Sequence, residues 1–471
     1  MGSTGTRTGV RRGGRLTSLV AGTGTAVVVL AGCATGTGGD AGDVTYDGDA
    51  RLSGELVVAG FGTGDEVGET RFALAQEALP DVDVQLVEGD LDIQQFLSAV
   101  AAEDPPDVIN ANRDQIGTLA ARGAVLPLDD CLEGEGVDPA VYRSSALAQV
   151  TLDGQLYGVP EFNQVQVLMA NGDLLSAAGL DVADVDGSSW EGVTAAADAM
   201  AVTSGGGVDV IGYDSKLPEF LPLWSAANGV RLLSDDGRTA QLDDPAVVEA
   251  LTFGADVYAR QGGFGAVKAN RDAQDFFGAE NQYATDVLGA MPFEQWYLNV
   301  LNEVSPDVPL VVAPFRDREG APIAYTAGSA WAVPTGSANP EAACRLAVTM
   351  TATDTWVAAA QARVDAVEES GRVFTGLLTA NDEADERIRA ELVPTDAGEP
   401  WRSGIDAVYE ANDAVFALAA NPADAAVTTA WQDAANRVLN GQAEPQESLE
   451  RAQSEAQEAL DAAWKDWDAR G

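Results

Sequence analysis

From residue 56 onward the apolar positions alternate between two rhythms. Leu56-Val57-Val58-Ala59 is a short continuous apolar run, as a buried strand makes, and it leads into the turn Gly60-Phe61-Gly62-Thr63-Gly64. Phe72, Leu74, Ala75 and Leu79 then recur at helical spacing as far as Pro80. Val82, Val84, Leu86 and Val87 follow as a strand, and Phe96, Leu97, Val100 and Ala101 share one helix face. Pro105-Pro106 breaks that helix before the short strand Asp107-Val108-Ile109. Strands alternating with helices predict an α/β fold with a largely parallel sheet. A second unit of the same kind begins after Val159-Pro160, and helices open at Asp244-Pro245 and Asn339-Pro340, where proline suits the first helical position. Beyond about residue 365 strand signals vanish and amphipathic helices take over. In the last of them Leu449, Ala452, Ala456, Leu460, Ala463 and Trp467 form a stripe that reads as core packing.

The start of the chain follows neither rhythm. Arg7, Arg11, Arg12 and Arg15 precede an apolar run from Leu16 to Gly32 that is short for a membrane-spanning helix. The run closes on Leu30-Ala31-Gly32-Cys33, which resembles the bacterial lipobox, where the signal is cut before the cysteine and the thiol carries a diacylglycerol. The resemblance implies a signal peptide over 1–32, lipidation of Cys33 and a tether over 33–53 rich in Gly, Thr, Asp and Ala. Two acyl chains hold better than one, so the mature protein is expected on the outer face of the membrane. A signal-anchor helix is the alternative reading.

Charge narrows the partners. The 471 residues carry 74 acidic and 27 basic side chains, a net charge of −47 that is spread along the chain and argues against nucleic acid or anionic headgroups as ligands. There is no histidine, which excludes Ser-His-Asp and Cys-His catalysis and zinc sites that need imidazole. Paired carboxylates could still run glycoside hydrolysis. After Cys33 only Cys131 and Cys344 remain, and either a bridge or two separately buried thiols fits an oxidising exterior.

Familiar motifs fail on spacing. Gly62, Gly64 and Gly68 miss the dinucleotide fingerprint by one residue, and no Gly-Lys-Ser/Thr follows. Asp184, Asp186 and Gly187 fit the middle of a calcium loop, but Val182 and Val193 stand where its first and last carboxylates belong. No metal or cofactor is indicated. Tryptophans beside polar residues say more: Leu223-Trp224-Ser225, Glu294-Gln295-Trp296-Tyr297, Ser329-Ala330-Trp331 and Pro400-Trp401-Arg402. An indole covers the C–H face of a pyranose while neighbouring acids, amides and guanidinium groups bond its hydroxyls, and Trp296 follows a buried strand, where open α/β sheets bind ligands.

Four passages, in order, resemble the extracellular solute-binding proteins related to maltose-binding protein: PDVINANRDQIGTLAARGAVLPLDD at 106–130, DGQLYGVPEFNQVQVLMANGDLLSAAGL at 153–180, AENQYATDVLGAMPFEQWYLNVL at 279–301 and AYTAGSAWAVPTGSANPEAACRLAVTM at 324–350. Ala170-Asn171 departs from the usual Tyr-Asn of that family. The resemblance implies a two-lobed α/β fold, each lobe a sheet flanked by helices, joined by a hinge of crossing strands at 159–165 and 310–315, with a helical C-terminus. The expected lobes are 54–159 with 310–360 and 160–309 with 361–470. It further implies a monomer that captures a sugar or oligosaccharide by hinge closure and delivers it to the membrane subunits of an ABC importer, without breaking a bond. The expected contacts are Phe61, Asp65, Arg113 and Asp114 from the first lobe, and Glu161 and Asn163 from the hinge. Trp224, Glu294, Trp296 and Arg402 are expected from the second lobe, and Trp331 from the returning segment. A cell-surface glycoside hydrolase, or the same fold with a peptide or polyamine cargo, remains open from the residues alone.

Overall fold

The computed structural model describes residues 44 and 46–470, so the signal segment, Cys33 and most of the tether lie outside it. Among the described residues no helix is long and apolar enough to cross a membrane.

Ten strands build two five-stranded sheets. Gly54–Phe61 (β1), Val82–Glu88 (β2), Val108–Asn112 (β3) and Val159–Pro160 (β4) come first; Gln166–Asn171 (β5), Val202–Ser204 (β6), Gly207–Tyr213 (β7), Leu288–Glu294 (β8) and Leu310–Pro314 (β9) follow, and Ser329–Ala332 (β10) closes the set. The first sheet has the order β2-β1-β3-β10-β4 and the second β9-β5-β8-β7-β6. The parallel expectation holds for β2-β1-β3 and for the β7-β8 pair. It fails elsewhere, because β10 runs antiparallel to β3 and β4, and β5 runs antiparallel to β8 and β9. Each sheet receives strands from a chain that has crossed over from the other sheet, and those strands need not keep the βαβ direction.

β9 corrects the expected hinge. Leu310–Pro314 pairs along β5 inside the second sheet, so the return crossing begins after Pro314 instead of occupying 310–315. An apolar pentapeptide reads equally well as a buried strand in either place. The outward crossing runs from Glu161 to Val165, two residues shorter than the expected 159–165, because Val159–Pro160 pairs with β10 inside the first sheet.

Helices cover the sheets: Glu66–Glu77 (α1), Arg113–Ala121 (α2), Tyr297–Val304 (α3), Pro340–Thr351 (α4) and Thr353–Glu369 (α5), then Trp401–Asn412 (α6), Asp424–Leu439 (α7) and Pro445–Asp468 (α8). α1 begins where Asp65 accepts from the Gly68 amide at 2.8 Å, an N-cap that satisfies a donor the helix cannot. α5 packs on α1, α6 on β9 and β5, α7 on α2, and α8 on the helix Pro245–Arg260, so the closing helices divide between the sheets. The expected 360/361 boundary falls inside α5. In α8 the buried stripe is Leu449, Ala452, Ala456, Leu460 and Trp464, whereas Trp467 stays half-exposed and bonds Asp153 at 3.2 Å. Cys131 and Cys344 are joined, with Cα atoms 5.9 Å apart, and the bond fastens the segment after the first three strands to α4.

Candidate functional site

The C-terminal ends of the parallel strands in both sheets turn toward the crossing strands, which is where open α/β sheets receive ligands. On the first sheet Phe61, Asn112, Ser329 and Glu161 fall along that edge, since Ser329 pairs with Asn112 and the Glu161 amide donates to the Ser329 carbonyl at 2.9 Å. On the second, Glu294 ends β8 and pairs with Gln166 at the start of β5.

The crossing strand is held on both sides. The Gln164 amide donates to the Ala327 carbonyl at 2.8 Å, while the Ala380 amide donates to the Glu161 carbonyl at 2.7 Å. Gln295 clasps its far end, accepting from the Val165 amide at 2.9 Å and donating to the Asn163 carbonyl at 3.2 Å. An extended strand sends successive side chains to opposite faces, and burial here alternates: Glu161, Asn163 and Val165 are buried, Phe162 and Gln164 are half-exposed.

The buried side of that strand is a polar lock. Arg113, fully buried at the start of α2, donates to Gln149 Oε1 (3.0 Å), the Phe162 carbonyl (3.0 Å), Asn163 Oδ1 (2.9 Å) and Thr326 Oγ1 (3.3 Å). Burial pushes its guanidinium down to about 9, which still leaves it charged at neutral pH. Gly328 fits beside it because a Cβ there would lie 2.9 Å from the guanidinium carbon and 1.9 Å from the Phe162 carbonyl oxygen. Asn163 donates to Asn412 at 2.8 Å, Asn412 donates to Asp385 at 2.9 Å, and Arg143 donates to the same carboxylate at 2.9 Å. Glu161 takes Arg71 at 2.5 Å, Ser329 at 2.9 Å and the Asn110 amide. Arg113, Glu161 and Asn163, expected to touch a ligand, have their polar atoms engaged inside the protein.

Burial pushes the Asp385 carboxyl up to about 6, against the pull of Arg143 and of the hydrogen bonds it accepts from Thr379. Between the ordinary aspartate pKa and that value the folded chain binds a proton that the unfolded chain does not, so this group makes the fold more stable as pH falls through that window. Asp385 should therefore raise the melting temperature between pH 7 and pH 5, contributing roughly 1 kcal/mol over that interval. An Asp385→Asn variant whose melting temperature shows the same pH slope as the native chain would remove this explanation.

The exposed side faces a cavity of about 250 Å³, lined by Asn112, Asp114, Gln149, Phe162, Gln164, Tyr325 and Ser329 among others. Asn112 makes no capping bond to α2, no ion pair holds Asp114, and the side-chain amide of Gln164 stays free among the described residues. Burial by the surrounding wall pushes the Asp114 carboxyl up although solvent reaches it, as befits a group set in a cleft. Phe162 also borders a small cavity of about 30 Å³ with Gln295, Trp296, Asn299 and Thr375. Asn299 and Thr375 in turn border a third, of about 260 Å³, with Asp65, Glu66, Glu303, Arg363 and Arg372. Arg363 reaches Asp65 at 2.7 Å, and Arg372 reaches Glu303 at 3.2 Å. The three cavities share lining residues along the junction of the sheets. Two larger hollows, about 570 and 640 Å³, lie among helices away from the outward crossing.

The expected residues separate accordingly. Asp114, Trp296 and Asp65 line the chain of cavities. Glu294 sits half-buried at the end of β8, its pKa raised by burial. Trp224 is core: fully buried, edge-on to Phe315 at 4.9 Å, its indole N–H donating to the Ser215 carbonyl at 2.8 Å. Trp331 is likewise fully buried, 5.2 Å from the buried ring of Phe61. Arg402 pairs one turn along its own helix with Asp406 at 2.7 Å and lines none of the three cavities. Asn112, Phe162, Gln164 and Tyr325 were not foreseen. The alternation Glu-Phe-Asn-Gln-Val announces an extended strand, but it puts polar residues on both faces and does not say which one is wet.

Residues 65–362 match the family described as bacterial extracellular solute-binding protein. The chain belongs to that family. No curated protein sequence matches it. Among solved structures, this solute-binding protein is similar to CpMnBP1 with mannobiose bound, with a TM-score of 0.67 and 21% identity over 86% of this chain and 100% of that one. It is also similar to the ABC substrate-binding protein Lmo0181 from Listeria monocytogenes in complex with cycloalternan, with a TM-score of 0.69 and 18% identity over 87% and 100% of the two chains. The GacH receptor of Streptomyces glaucescens, solved unliganded and with acarbose, gives a TM-score of 0.65 at 18% identity over 87% of this chain and 99% of its own. At these identities the likeness carries the fold of this solute-binding protein: two lobes, each a sheet flanked by helices, with a helical C-terminus.

Proposed function

We propose that this solute-binding protein is anchored through a lipid on Cys33, captures a sugar or oligosaccharide at the junction of its lobes, and passes it unchanged to an ABC importer. Each sheet with its covering helices is one lobe. The observation that carries the reading is the hinge cavity, where free side-chain amides of Asn112 and Gln164 and the unpaired Asp114 carboxylate stand beside the Phe162 and Tyr325 rings. Hydroxyl groups satisfy such amides and carboxylates, and aromatic rings cover C–H faces. The mannobiose, cycloalternan and acarbose named for the similar structures support the same class. Solute bound to both lobes favours the shut form over the open one, by its differential affinity for the two.

Among the described residues no basic side chain lines the hinge cavity, and the neighbouring Arg113 is committed to buried acceptors, so Asp114 disfavours an anionic sugar. Tryptophan fluorescence of the mature domain, titrated with mannobiose, maltose, glucuronate, short peptides and spermidine, should saturate with a neutral saccharide and stay flat with glucuronate. Asp114→Ala and Trp296→Ala should each weaken that saccharide by roughly 10-fold or more, the scale of one lost charge-assisted hydrogen bond or one lost aromatic contact. A response to peptide or spermidine alone would overturn the sugar assignment, and sustained product release would overturn capture without chemistry. Cys33→Ser should move the protein from the membrane fraction to the medium.

A further inference from the structure

The composition of 33–53 predicts a free tether, yet residues 46–53 lie bound against the first lobe. Arg345, on α4, holds them. Its guanidinium donates to the Asp47 carbonyl at 2.7 Å and to the Ala50 carbonyl at 2.8 Å. Glu135 accepts from its Nε and from one Nη, at 3.1 and 3.0 Å. Both members of that pair are largely buried, and the bond between Cys131 and Cys344 joins α4 to the helix Asp129–Gly134 that leads into Glu135.

Backbone closes the other side. The Gly48 amide donates to the Gly134 carbonyl at 2.9 Å, and a Cβ on Gly134 would lie 2.5 Å from the Tyr46 Cβ. Tyr46 and Leu52 are half-buried against the core. Just before α4, the Asn339 side-chain amide donates to the Ser53 and Glu55 carbonyls, each at 3.2 Å. A segment so poor in apolar residues gains little from burial, so donors to its carbonyls have to hold it.

What the grip covers is chemically specific. Between Cys33 and β1 the only basic residue is Arg51, and the next along the chain is Arg71, in α1. The Arg51 side chain is 84% exposed and reaches Asp81 at 2.5 Å, while the carbonyl just before it is the one Arg345 takes. The side chain is therefore open to an arginine-directed protease, but the backbone on each side is tied down. Cutting requires the segment to lift off first, and its rate follows the population of that open form.

We propose that the first lobe grips the end of its own tether, and that the grip shields the Arg51–Leu52 peptide bond from arginine-directed proteases. Hydrolysis there would add water across the bond, leave a carboxylate on Arg51 and an ammonium on Leu52, and free the body from Cys33. The consequence rests on the lipid anchor proposed above; the grip itself does not.

Trypsin digestion of the full chain in bacterial membranes tests it, with cuts mapped by mass spectrometry and the freed body measured in the supernatant. The native chain should survive at Arg51. Arg345→Ala and Gly134→Ala should each be cut there about 10-fold faster or more, the scale of one lost hydrogen bond to a charged group, and adding Arg51→Gln should abolish that cut. Gly134→Ala displaces Tyr46 while leaving Arg345 on Glu135, and alanine is the better helix residue, so this variant should melt as the native chain does. Equal cutting at Arg51 in native and variant chains would overturn the shield. Variants cut faster by the same factor at Arg71, which is buried, would overturn it too, because the whole fold would then be opening. A native chain found only in the medium overturns the anchor, and the cutting rates at Arg51 still decide the grip.

Discussion

Replacing Arg113 by methionine should cost this solute-binding protein roughly 3–5 kcal/mol of stability, read as a lower urea midpoint. Methionine matches the length and apolar volume of the arginine stem, so the loss would come from polar partners and not from a void. Gln149 Oε1, the Phe162 carbonyl and Asn163 Oδ1 would each lose a donor in a place closed to water. Asn163 still receives the Thr326 hydroxyl at 2.5 Å, which keeps the figure from rising further. Lysine should recover little, because one ammonium cannot reach the separate acceptors that the planar fork reaches together. The consequence for binding should be visible too: Phe162 and Gln164 project from the strand that Arg113 holds, so saccharide affinity should fall even at temperatures where the variant is folded. A variant as stable as the native chain would mean that the lock is ornamental.

Breaking the bond between Cys131 and Cys344 should be as damaging. It closes a loop across 213 residues of sequence, and chain entropy alone puts the stabilisation at about 5.4 kcal/mol, an upper figure because unfolded chains are not random. Both ends lie on helices of the first sheet, and all five strands of the second sheet, with both crossings, are enclosed between them. Reduction should therefore lower the urea midpoint of the whole molecule, and Cys131→Ala with Cys344→Ala should reproduce it without reductant. If reductant left the midpoint unchanged while free-thiol titration confirmed opening, the unfolded chain would have to be compact enough to need no such tie.

The architecture was legible because it depends on patterns that survive averaging. The strand at Leu56–Ala59, the helix ending before Pro80 and the Asp244-Pro245 helix start each follow from periodicity or from a cap, and the structure has all three. The site was less legible, for a physical reason that Trp224 and Trp296 make plain. Both are tryptophans next to polar residues. One fills the space between Phe315 and Tyr213 and the other borders a cavity, and only tertiary packing decides between these fates. Polar residues carry the same ambiguity. Arg113 and Asp114 are neighbours at the head of one helix; the first turns inward and is consumed, the second faces the cleft. A sequence shows which groups can bond a sugar, but not which of them the protein has already used.

The alternation along 161–165 therefore separates two kinds of change. Glu161, Asn163 and Val165 are tied into the body, while Phe162 and Gln164, one residue away on either side of Asn163, meet the cavity. Selection can rewrite the second pair without loosening the first set. A lineage that must follow a changing diet of solutes can thus revise its taste at two positions while the moving joint is inherited intact, and a protein engineer could do the same.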